Sequence, residues 1–467
     1  MKAIQIKDIV KAVSGTLAWG DGAQCVTDVV TDSRQAGKGT LFVPLVGERV
    51  DAHRFIPDVL EQGAACIFSS RHDLTPGRGA CIYVGDTLRA LQDFAAWYRS
   101  LFTLPVIGIT GSVGKTTTKE MIATVLETKY RTLKTYKNLN SQIGVSLMMF
   151  QLEEDTEMAV FEMGISMPGE MDRLVRMARP TCAVMTNVGV SHIGNLGTRE
   201  NICAEKGKII TNFDTDGFLF VCGDGDLTEL SKKNIPYKCC QGACETLYYG
   251  SENDCQYYAD HMTAEEDGQK FTFHYPEGEY PVQLSVMGRH NVCNAVVAMA
   301  LGLCFNVPLE LAAGALRDYH PIDMRGIIHE VDGIHIIDDT YNASPDSIKS
   351  NLKALFDYPG DGKRIAVLAD VLELGERSRE LHEEIGHFIT SECEKGRRLS
   401  DLIVVGCEAQ AIARYVAAHT DIRVTICENN EKAAESVRGC ASAGDWVLIK
   451  GSRGMKMDEV VKRLIKE

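Results

Sequence analysis

The chain has no long apolar run, no signal-like N-terminus and no excess of basic residues. No stretch of its 467 residues approaches the ~20 apolar residues that a membrane-spanning helix needs, and its first residues lack the apolar core of a secretory signal. The net charge is −15, from 49 basic and 64 acidic residues, which disfavours nucleic acid or an anionic membrane as a general partner. These absences predict a cytoplasmic protein that does not insert stably into membranes and acts on small molecules.

The cysteines show no metal-binding spacing, although the chain contains 16 of them. No C-x-x-C pair occurs, and the nearest cluster, formed by Cys239, Cys240 and Cys244, lacks the spacing of a zinc site. We therefore predict reduced thiols, as is usual inside cells.

Length and composition predict about three globular domains of the α/β class. A hydrophobic fraction of 45% and a charged fraction of 24% are typical of a soluble globular protein, and domains commonly hold ~150 residues. Strand-like segments followed by helix-like segments recur, which favours parallel sheets. We predict a small α/β unit, a central parallel-sheet unit and a Rossmann-like unit, over residues 1–102, 103–320 and 321–467.

The predicted strands follow two patterns. Most are short apolar runs, as expected in a parallel sheet buried on both faces. Residues 214 to about 286 lose the regular alternation of strand and helix, and two segments there alternate polar and apolar residues like antiparallel strands, at 270–275 and 280–286. The other predicted strands cover residues 26–31, 40–44, 104–109, 158–161, 182–186, 334–337, 364–368, 402–405 and 446–450.

A glycine-rich turn in the central unit has the composition of a phosphate-binding loop. In LPVIGITGSVGKTTTKEM, residues 104–121, an apolar strand leads into the turn and a helix-forming segment follows it. Glycines let backbone N–H groups approach phosphate oxygens. The pattern T-G-x-x-G-K-T is shorter than the strict Walker motif, which would need glycine at Ile109. The candidate nucleotide contacts are Gly111, Ser112, Val113, Gly114, Lys115, Thr116 and Thr117.

The loop alone does not define a reaction. GTPases carry N-K-x-D, and no Asn-Lys pair occurs in the chain, but kinases and motor ATPases stay open. Lys115 can reach the β- and γ-phosphates, and Thr116 and Glu162 can ligate the Mg²⁺ that accompanies a nucleotide. His192 follows the next strand and is a candidate for a second ion. Lys206 lies on a helix and would become an anionic metal ligand if CO₂ converted it to a carbamate.

Further polar residues cluster after predicted strands in the third unit. In IIDDTYNASPDS, adjacent carboxylates at Asp338 and Asp339 suit ribose hydroxyls or a cation, whereas Asp346 also fits a helix cap. Arg325 lies at the second unit boundary, where a hinge could bring its guanidinium onto a transferring phosphate.

Taken together, these segments resemble the Mur ligase family over nearly the whole chain. TGSVGKTT resembles the family's phosphate loop, and the segments that match family members in the same order are KNLNSQIG, EMGISMPGEM, TNVGVSHIGNLGTRENICAEKGKI, GRHNVCNA, DDTYNASPDS, ADVLELGE and VLIKGSRGMKM. DDTYNASPDS, LELGE and KGSR are most similar to the member that adds D-alanyl-D-alanine to UDP-N-acetylmuramoyl-tripeptide. The D-N-P-R motif of the diaminopimelate-adding member is absent.

The resemblance implies a role for each candidate residue. Thr116 and Glu162 would hold one Mg²⁺, and His192 and carbamylated Lys206 would hold another. Asn291 and Asn294 would contact adenine, Asp339 the ribose, and Arg325 the γ-phosphate. The remaining candidates are substrate contacts, with Ser33, Arg34, Asn138 and Asn140 facing the UDP-sugar and Tyr341 and Asn342 in the third unit.

The resemblance also implies a reaction, namely ATP-dependent formation of an amide through an acyl phosphate in peptidoglycan precursor synthesis, by a monomer. One alternative is a ligase of the same mechanism that acts on another amino acid or acid, such as a folate or a cyanophycin-like polymer. Another alternative is an ATP-binding homologue without catalytic activity.

Overall fold

The computed structural model describes residues 1–213, 217–237, 244–251, 253–265, 268–322 and 324–465. Cys239 and Cys240 lie outside the described residues, and the cysteines within them are free thiols. Over the same ranges, no helix combines the length and the apolar character needed to cross a bilayer.

The first unit is a small α/β layer built on a mostly parallel sheet. Its described sheet has the strand order β2-β7-β6-β5-β4, with β2 antiparallel to β7 and the other neighbours parallel. The elements are β1 (Ile4–Gln5), α1 (Ile6–Ala12), β2 (Thr16–Trp19), β3 (Cys25–Val26), β4 (Asp28–Val30), β5 (Thr40–Phe42), α2 (Ile56–Glu61), β6 (Cys66–Ser69), β7 (Ala80–Tyr83) and α3 (Thr87–Arg99). The strand predicted at 26–31 is split between β3 and β4.

The central unit holds a mixed sheet with the order β16-β15-β14-β13-β12-β11-β8-β10-β9 in the described ranges. Its first elements are β8 (Val106–Thr110), α4 (Lys115–Glu127), β9 (Thr132–Lys134), α5 (Gln142–Met149), β10 (Met158–Glu162), α6 (Glu170–Ala178), β11 (Cys182–Met185), α7 (Ile193–Leu196) and α8 (Arg199–Gly207). The later elements are β12 (Gly217–Cys222), α9 (Leu227–Asn234), β13 (Cys244–Gly250), β14 (Tyr257–Glu265), β15 (Gly268–Tyr275), β16 (Gly278–Leu284), α10 (Arg289–Cys304) and α11 (Leu309–Arg317).

The pairing in this sheet confirms one part of the strand prediction and corrects another. Strands β8, β10 and β11 pair in parallel, and β15 and β16 pair antiparallel, as predicted. Strand β14, which was not predicted, pairs antiparallel with β15. The predicted loss of strand–helix alternation from residue 214 is wrong for β12, α9 and β13, because β12 and β13 continue the parallel sheet. Strand β13 contains polar residues and tyrosines, so a search for short apolar runs in the sequence does not find it.

The third unit is a parallel sheet covered on both faces, which confirms the Rossmann-like prediction. Its described strands have the order β17-β18-β22-β19-β20-β21. In this sheet β17 pairs antiparallel with β18, and the other neighbouring strands described pair in parallel. The elements are β17 (Ile327–Val331), β18 (Ile334–Asp339), α12 (Pro345–Asp357), β19 (Arg364–Ala369), α13 (Ser378–Glu394), β20 (Asp401–Val405), α14 (Gln410–His419), β21 (Arg423–Cys427), α15 (Asn430–Cys440), β22 (Trp446–Lys450) and α16 (Asp458–Ile465).

The apolar cores join the first two units and separate the third. One continuous buried cluster runs from the first sheet through α3 into the central sheet. The third unit has its own two clusters, one packed under α12, α13 and α14 and the other under α15 and α16. The sheets lie within the predicted units, and the boundaries at residues 102 and 320 stay a prediction.

A buried arginine fastens α3 to the central unit. The guanidinium of Arg99, which is 5% exposed, donates hydrogen bonds to the carbonyl oxygens of Ala178, Phe102 and Leu104 at 3.0, 2.7 and 3.1 Å. Ala178 is the last residue of α6, where a cation also offsets the negative end of the helix dipole.

We predict that Arg99→Met lowers the free energy of unfolding by about 3 kcal/mol, because it leaves buried carbonyl groups without charged donors. Urea unfolding followed by tryptophan fluorescence measures the change. The matched control is Arg89→Met on the same helix, which removes an exposed ion pair with Asp93 and should cost less than about 1 kcal/mol. Equal stability of the two variants would contradict the fastening role of Arg99.

Candidate active site

The predicted phosphate loop connects β8 to α4 in the structure. Strand β8 ends at Thr110 and α4 begins at Lys115, after Gly114 with φ of +84°. Gly111 has φ of +149°, and a Cβ there would lie 1.9 Å from Oγ1 of Thr186. Position 111 therefore requires glycine, both for its backbone conformation and for the close approach of the neighbouring strand.

Residues that follow β11 brace this loop. The side-chain oxygen of Asn187 accepts hydrogen bonds from the backbone N–H groups of Ser112 and Val113, at 3.0 and 2.8 Å. The hydroxyl of Thr186 donates to the carbonyl oxygen of Val113 at 2.6 Å. The loop thus has a defined shape set by the parallel pairing of β8 with β11.

Two lysines from different helices converge on one carbonyl oxygen. The Nζ atoms of Lys115 and Lys206 donate to the carbonyl of Gly111 at 2.8 and 3.0 Å. Burial lowers the pKa of Lys115, and it lowers the pKa of Lys206 well below its usual value, with the Lys115 charge adding to the effect on Lys206. The two ammonium groups repel each other, and an anion bound at the loop would offset that repulsion. A lowered pKa leaves the Lys206 amine more often neutral and nucleophilic.

A buried carboxylate lies beside the loop. Glu162, at the end of β10, accepts a hydrogen bond from the Thr116 hydroxyl at 2.6 Å and another from the Asn140 amide at 2.7 Å. Thr116 and Glu162 are each 2% exposed. The pair offers oxygen donors of the kind that Mg²⁺ prefers.

These groups form one wall of a cleft of 540 Å³ between the central and third units. The third unit supplies the opposite wall, where Arg325 lies 4.0 Å over the ring of Tyr341 and Lys450 donates hydrogen bonds to Asp339 and to the carbonyl of Asn342. The predicted site residues that line the cleft are Ser112, Val113, Gly114, Lys115, Thr116, Thr117, Asn140, Glu162, His192, Asn291, Asn294, Arg325, Asp339, Tyr341 and Asn342.

Comparison with known families identifies the chain. The family model described as "Mur ligase middle domain" matches residues 109–302, and the one described as "Mur ligase, glutamate ligase domain" matches residues 325–453. A Bacillus subtilis protein named UDP-N-acetylmuramoyl-tripeptide–D-alanyl-D-alanine ligase is 38% identical to the chain. The alignment covers 98% of this chain and 98% of that protein. The chain belongs to the Mur ligase family.

Solved structures of Mur ligases have the same fold. MurF from Acinetobacter baumannii matches with a TM-score of 0.89 at 28% identity, over 100% of both chains. MurF ligase from Thermotoga maritima, solved in complex with ADP, matches with a TM-score of 0.84 at 28% identity, over 95% of this chain and 98% of that one. The predicted resemblance and the α/β fold class are confirmed.

Several predicted residues of this Mur ligase lie elsewhere. Gly111, within the loop, and Lys206, which donates to its carbonyl oxygen, are not among the residues that line the cleft, whereas Asn138 is exposed. Ser33 and Arg34 are also outside the lining set, and Arg34 forms an exposed ion pair with Asp32 that holds the pKa of Asp32 at about 2. The UDP-sugar role of these first-unit residues stays a prediction.

Sequence reasoning missed other residues of the Mur ligase cleft. Asn187 shapes the phosphate loop, and His290 lines the cleft with a pKa that burial lowers to about 4. Glu373 also lines it, with Oε2 3.0 Å from Nδ1 of His192. His290 and Glu373 occur in segments already matched to the family, but nothing local in the sequence indicates their contacts.

Of the four predicted metal ligands, Thr116 and Glu162 are in direct contact, and the role of all four as ligands stays a prediction. Across the described ranges, no group of three or more His, Cys, Asp or Glu side chains is arranged to hold a metal ion. Nucleotide-bound Mg²⁺ takes one or two protein carboxylates and completes its coordination with phosphate and water oxygens, so such a cluster is not required.

We predict that Gly111→Ala weakens binding of a non-hydrolysable ATP analogue by about tenfold or more, equivalent to about 1.4 kcal/mol. The new methyl group would displace the carbonyl that holds both lysines. Isothermal titration calorimetry measures the affinity. In the control Gly37→Ala the new Cβ meets nothing within 4 Å, so its affinity should match that of the unsubstituted protein. Unchanged affinity in Gly111→Ala would contradict the assigned role of the loop.

Proposed function

We propose that this Mur ligase joins D-alanyl-D-alanine to UDP-N-acetylmuramoyl-tripeptide with ATP, as a cytoplasmic monomer in peptidoglycan precursor synthesis. The observation that carries the proposal is a single cleft that unites the phosphate loop and Glu162 on one wall with Arg325 and Asp339 on the other. The name of the Bacillus subtilis relative, at 38% identity over nearly full length, supports the choice of substrates.

The proposed reaction has two steps. A terminal carboxylate oxygen of the tripeptide attacks the γ-phosphorus of ATP, the bond to the β-phosphate oxygen breaks, and ADP leaves. The amine nitrogen of the dipeptide then attacks the carbonyl carbon of the acyl phosphate, loses a proton, and inorganic phosphate leaves. Phosphorylation is needed because a free carboxylate is a poor electrophile.

The chain's residues bind and orient these reactants. Lys115 contacts the β- and γ-phosphates and Arg325 the γ-phosphate, where they offset the negative charge of the transferring group. Asn291 and Asn294 contact adenine, and Asp339 contacts ribose. The substrate contacts are Ser33, Arg34, Asn138 and Asn140 toward the UDP-sugar, and Tyr341 and Asn342 in the third unit.

The donor set beside the loop fits Mg²⁺. Thr116 and Glu162 supply hard oxygen atoms next to the phosphates and would hold one ion. His192 and Lys206 would hold a second only after carbamylation, because a protonated lysine repels a cation. Magnesium bound there would supply positive charge that offsets the charge of the phosphate oxygens.

Carbamylation of Lys206 is chemically favoured by its surroundings. The amine nitrogen adds to the carbon of CO₂ and loses a proton, which leaves an anionic carbamate with two oxygen donors. The reaction requires a neutral amine, and the pKa of Lys206 is lowered well below its usual value by burial. The side chain is 1% exposed, so the carbamate would be shielded from bulk water.

We predict that phosphate release from ATP requires both UDP-tripeptide and D-alanyl-D-alanine, and that Lys206→Ala lowers turnover by a factor on the order of 100 through loss of electrostatic stabilisation. A coupled assay of phosphate and of the amide product measures both. Short carboxylic acids should restore part of the activity of Lys206→Ala by replacing the missing anion, whereas bicarbonate should restore none.

The control is Lys208→Ala, two residues further along, which removes ion pairs with Asp172 and Glu205 and should keep turnover close to that of the unsubstituted protein. ATP hydrolysis that is indifferent to both substrates would contradict the proposal. A ligase for another acid would not show competition between UDP and the acid substrate, whereas the proposed enzyme should.

A further inference from the structure

A contact between a histidine and a carboxylate crosses the cleft between the central and third units. His192 follows β11 in the central unit, and Glu373 follows β19 in the third unit. Nδ1 of the imidazole lies 3.0 Å from Oε2 of the carboxylate. The Cβ position of Gly194 lies 3.7 Å from the carbonyl oxygen of Glu373, so the backbones of the two loops also approach closely.

Both partners of this contact have an unusual backbone conformation. His192 has φ of +60° and Glu373 has φ of +65°, in the left-handed region that non-glycine residues rarely adopt. Such a conformation persists only where the surrounding structure determines it, and it is concentrated at functional sites. Its occurrence on both sides of one contact indicates that the loops are shaped to meet.

The loop that carries Glu373 is held by its own unit. The N–H of Val371 donates to Nε2 of His382 at 3.0 Å, and the N–H of Leu372 donates to Oγ of Ser452 at 2.9 Å. His382 is fully buried, and its Nδ1 lies 2.7 Å from the carbonyl oxygen of Ser378. Two successive amides before Glu373 are therefore fixed by side chains of the third unit.

The contact does not serve mainly as a stabilising ion pair. The side chain of Glu373 is 70% exposed, and exposed pairs contribute little to the free energy of folding. Its chemical consequence is more specific. The two atoms are not aligned for a hydrogen bond, and the buried Nδ1 has no other hydrogen-bond partner among the described residues. An oxygen acceptor 3.0 Å away would repel a lone pair on Nδ1, so the contact favours the tautomer in which Nδ1 carries the proton. Nε2 then keeps its lone pair for another ligand.

We propose that Glu373 is a positioning residue for His192, which it holds in the Nδ1–H tautomer with Nε2 available to the cleft. Because Glu373 belongs to the third unit, it acts only while that unit covers the phosphate loop. The catalytic part of the inference rests on the proposed ligase function, in which His192 is a metal ligand. The tautomer itself does not depend on that function.

The test compares Glu373→Ala and Glu373→Gln with Glu376→Gln, a control at an exposed position three residues further on. Long-range ¹⁵N–¹H correlation spectra of the full chain labelled with ¹⁵N-histidine report the tautomer, and the His192 signals are assigned by their loss in His192→Gln. Steady-state assays give kcat and the KM for ATP, and thermal melting verifies that each variant is folded.

We expect His192 in Glu373→Ala to shift from Nδ1–H toward Nε2–H, with kcat lowered by about 10- to 100-fold and the KM for ATP little changed. Glu373→Gln keeps an oxygen acceptor, so it should retain the Nδ1–H tautomer and most of the turnover. Glu376→Gln should match the unsubstituted protein in both measurements.

An unchanged His192 tautomer in Glu373→Ala would overturn the inference, as would a Glu373→Gln variant as defective as Glu373→Ala. If the unsubstituted protein ligates no dipeptide, the proposed function fails. The tautomer comparison then still decides whether Glu373 orients His192.

Discussion

The carbonyl oxygen of Gly111 accepts hydrogen bonds from Lys115 and Lys206, and the rest of the site depends on this convergence. Two ammonium groups at one oxygen repel each other, and burial lowers the pKa of both. The arrangement therefore favours an anion in front of the loop and a neutral, reactive amine behind it. It is possible only because residue 111 lacks a Cβ, which would collide with Thr186.

The packing of the three units explains how the second wall of the cleft meets this loop. The first and central units share one core and Arg99 links them, whereas the third unit folds around cores of its own. The contacts of the third unit with the central loops include two polar ones, the backbone N–H of Val190 with Asp346 and the pair of His192 with Glu373. The side chain of Val190 also packs against the apolar core of the third unit. The predicted phosphate-binding residues thus belong to the body formed by the first and central units, whereas Arg325 and Asp339 belong to the third unit, which folds around its own cores.

How much the sequence predicts depends on how local each signal is. The phosphate loop, Thr116 and Glu162 were predictable, because a strand, a turn and a helix occur in one short segment and parallel strands end at one sheet edge. The hydrogen bond from Asn140 to Glu162 was not predictable. An amide-rich loop predicts hydrogen bonding, but its sequence does not indicate which residue accepts the bond. Glu373 was missed for the same physical reason, because its contact with His192 forms only when separate units pack together. The strand β13 was missed because its side chains are not an apolar run.

The most direct measurement is a crystal structure of the protein with a non-hydrolysable ATP analogue and Mn²⁺, read by anomalous diffraction. We predict an anomalous peak coordinated by the Thr116 hydroxyl and the Glu162 carboxylate, with the γ-phosphate against Nζ of Lys115 and facing Arg325. A metal bound away from Glu162, or a triphosphate that does not lie across the turn from Gly111 to Lys115, would contradict the account.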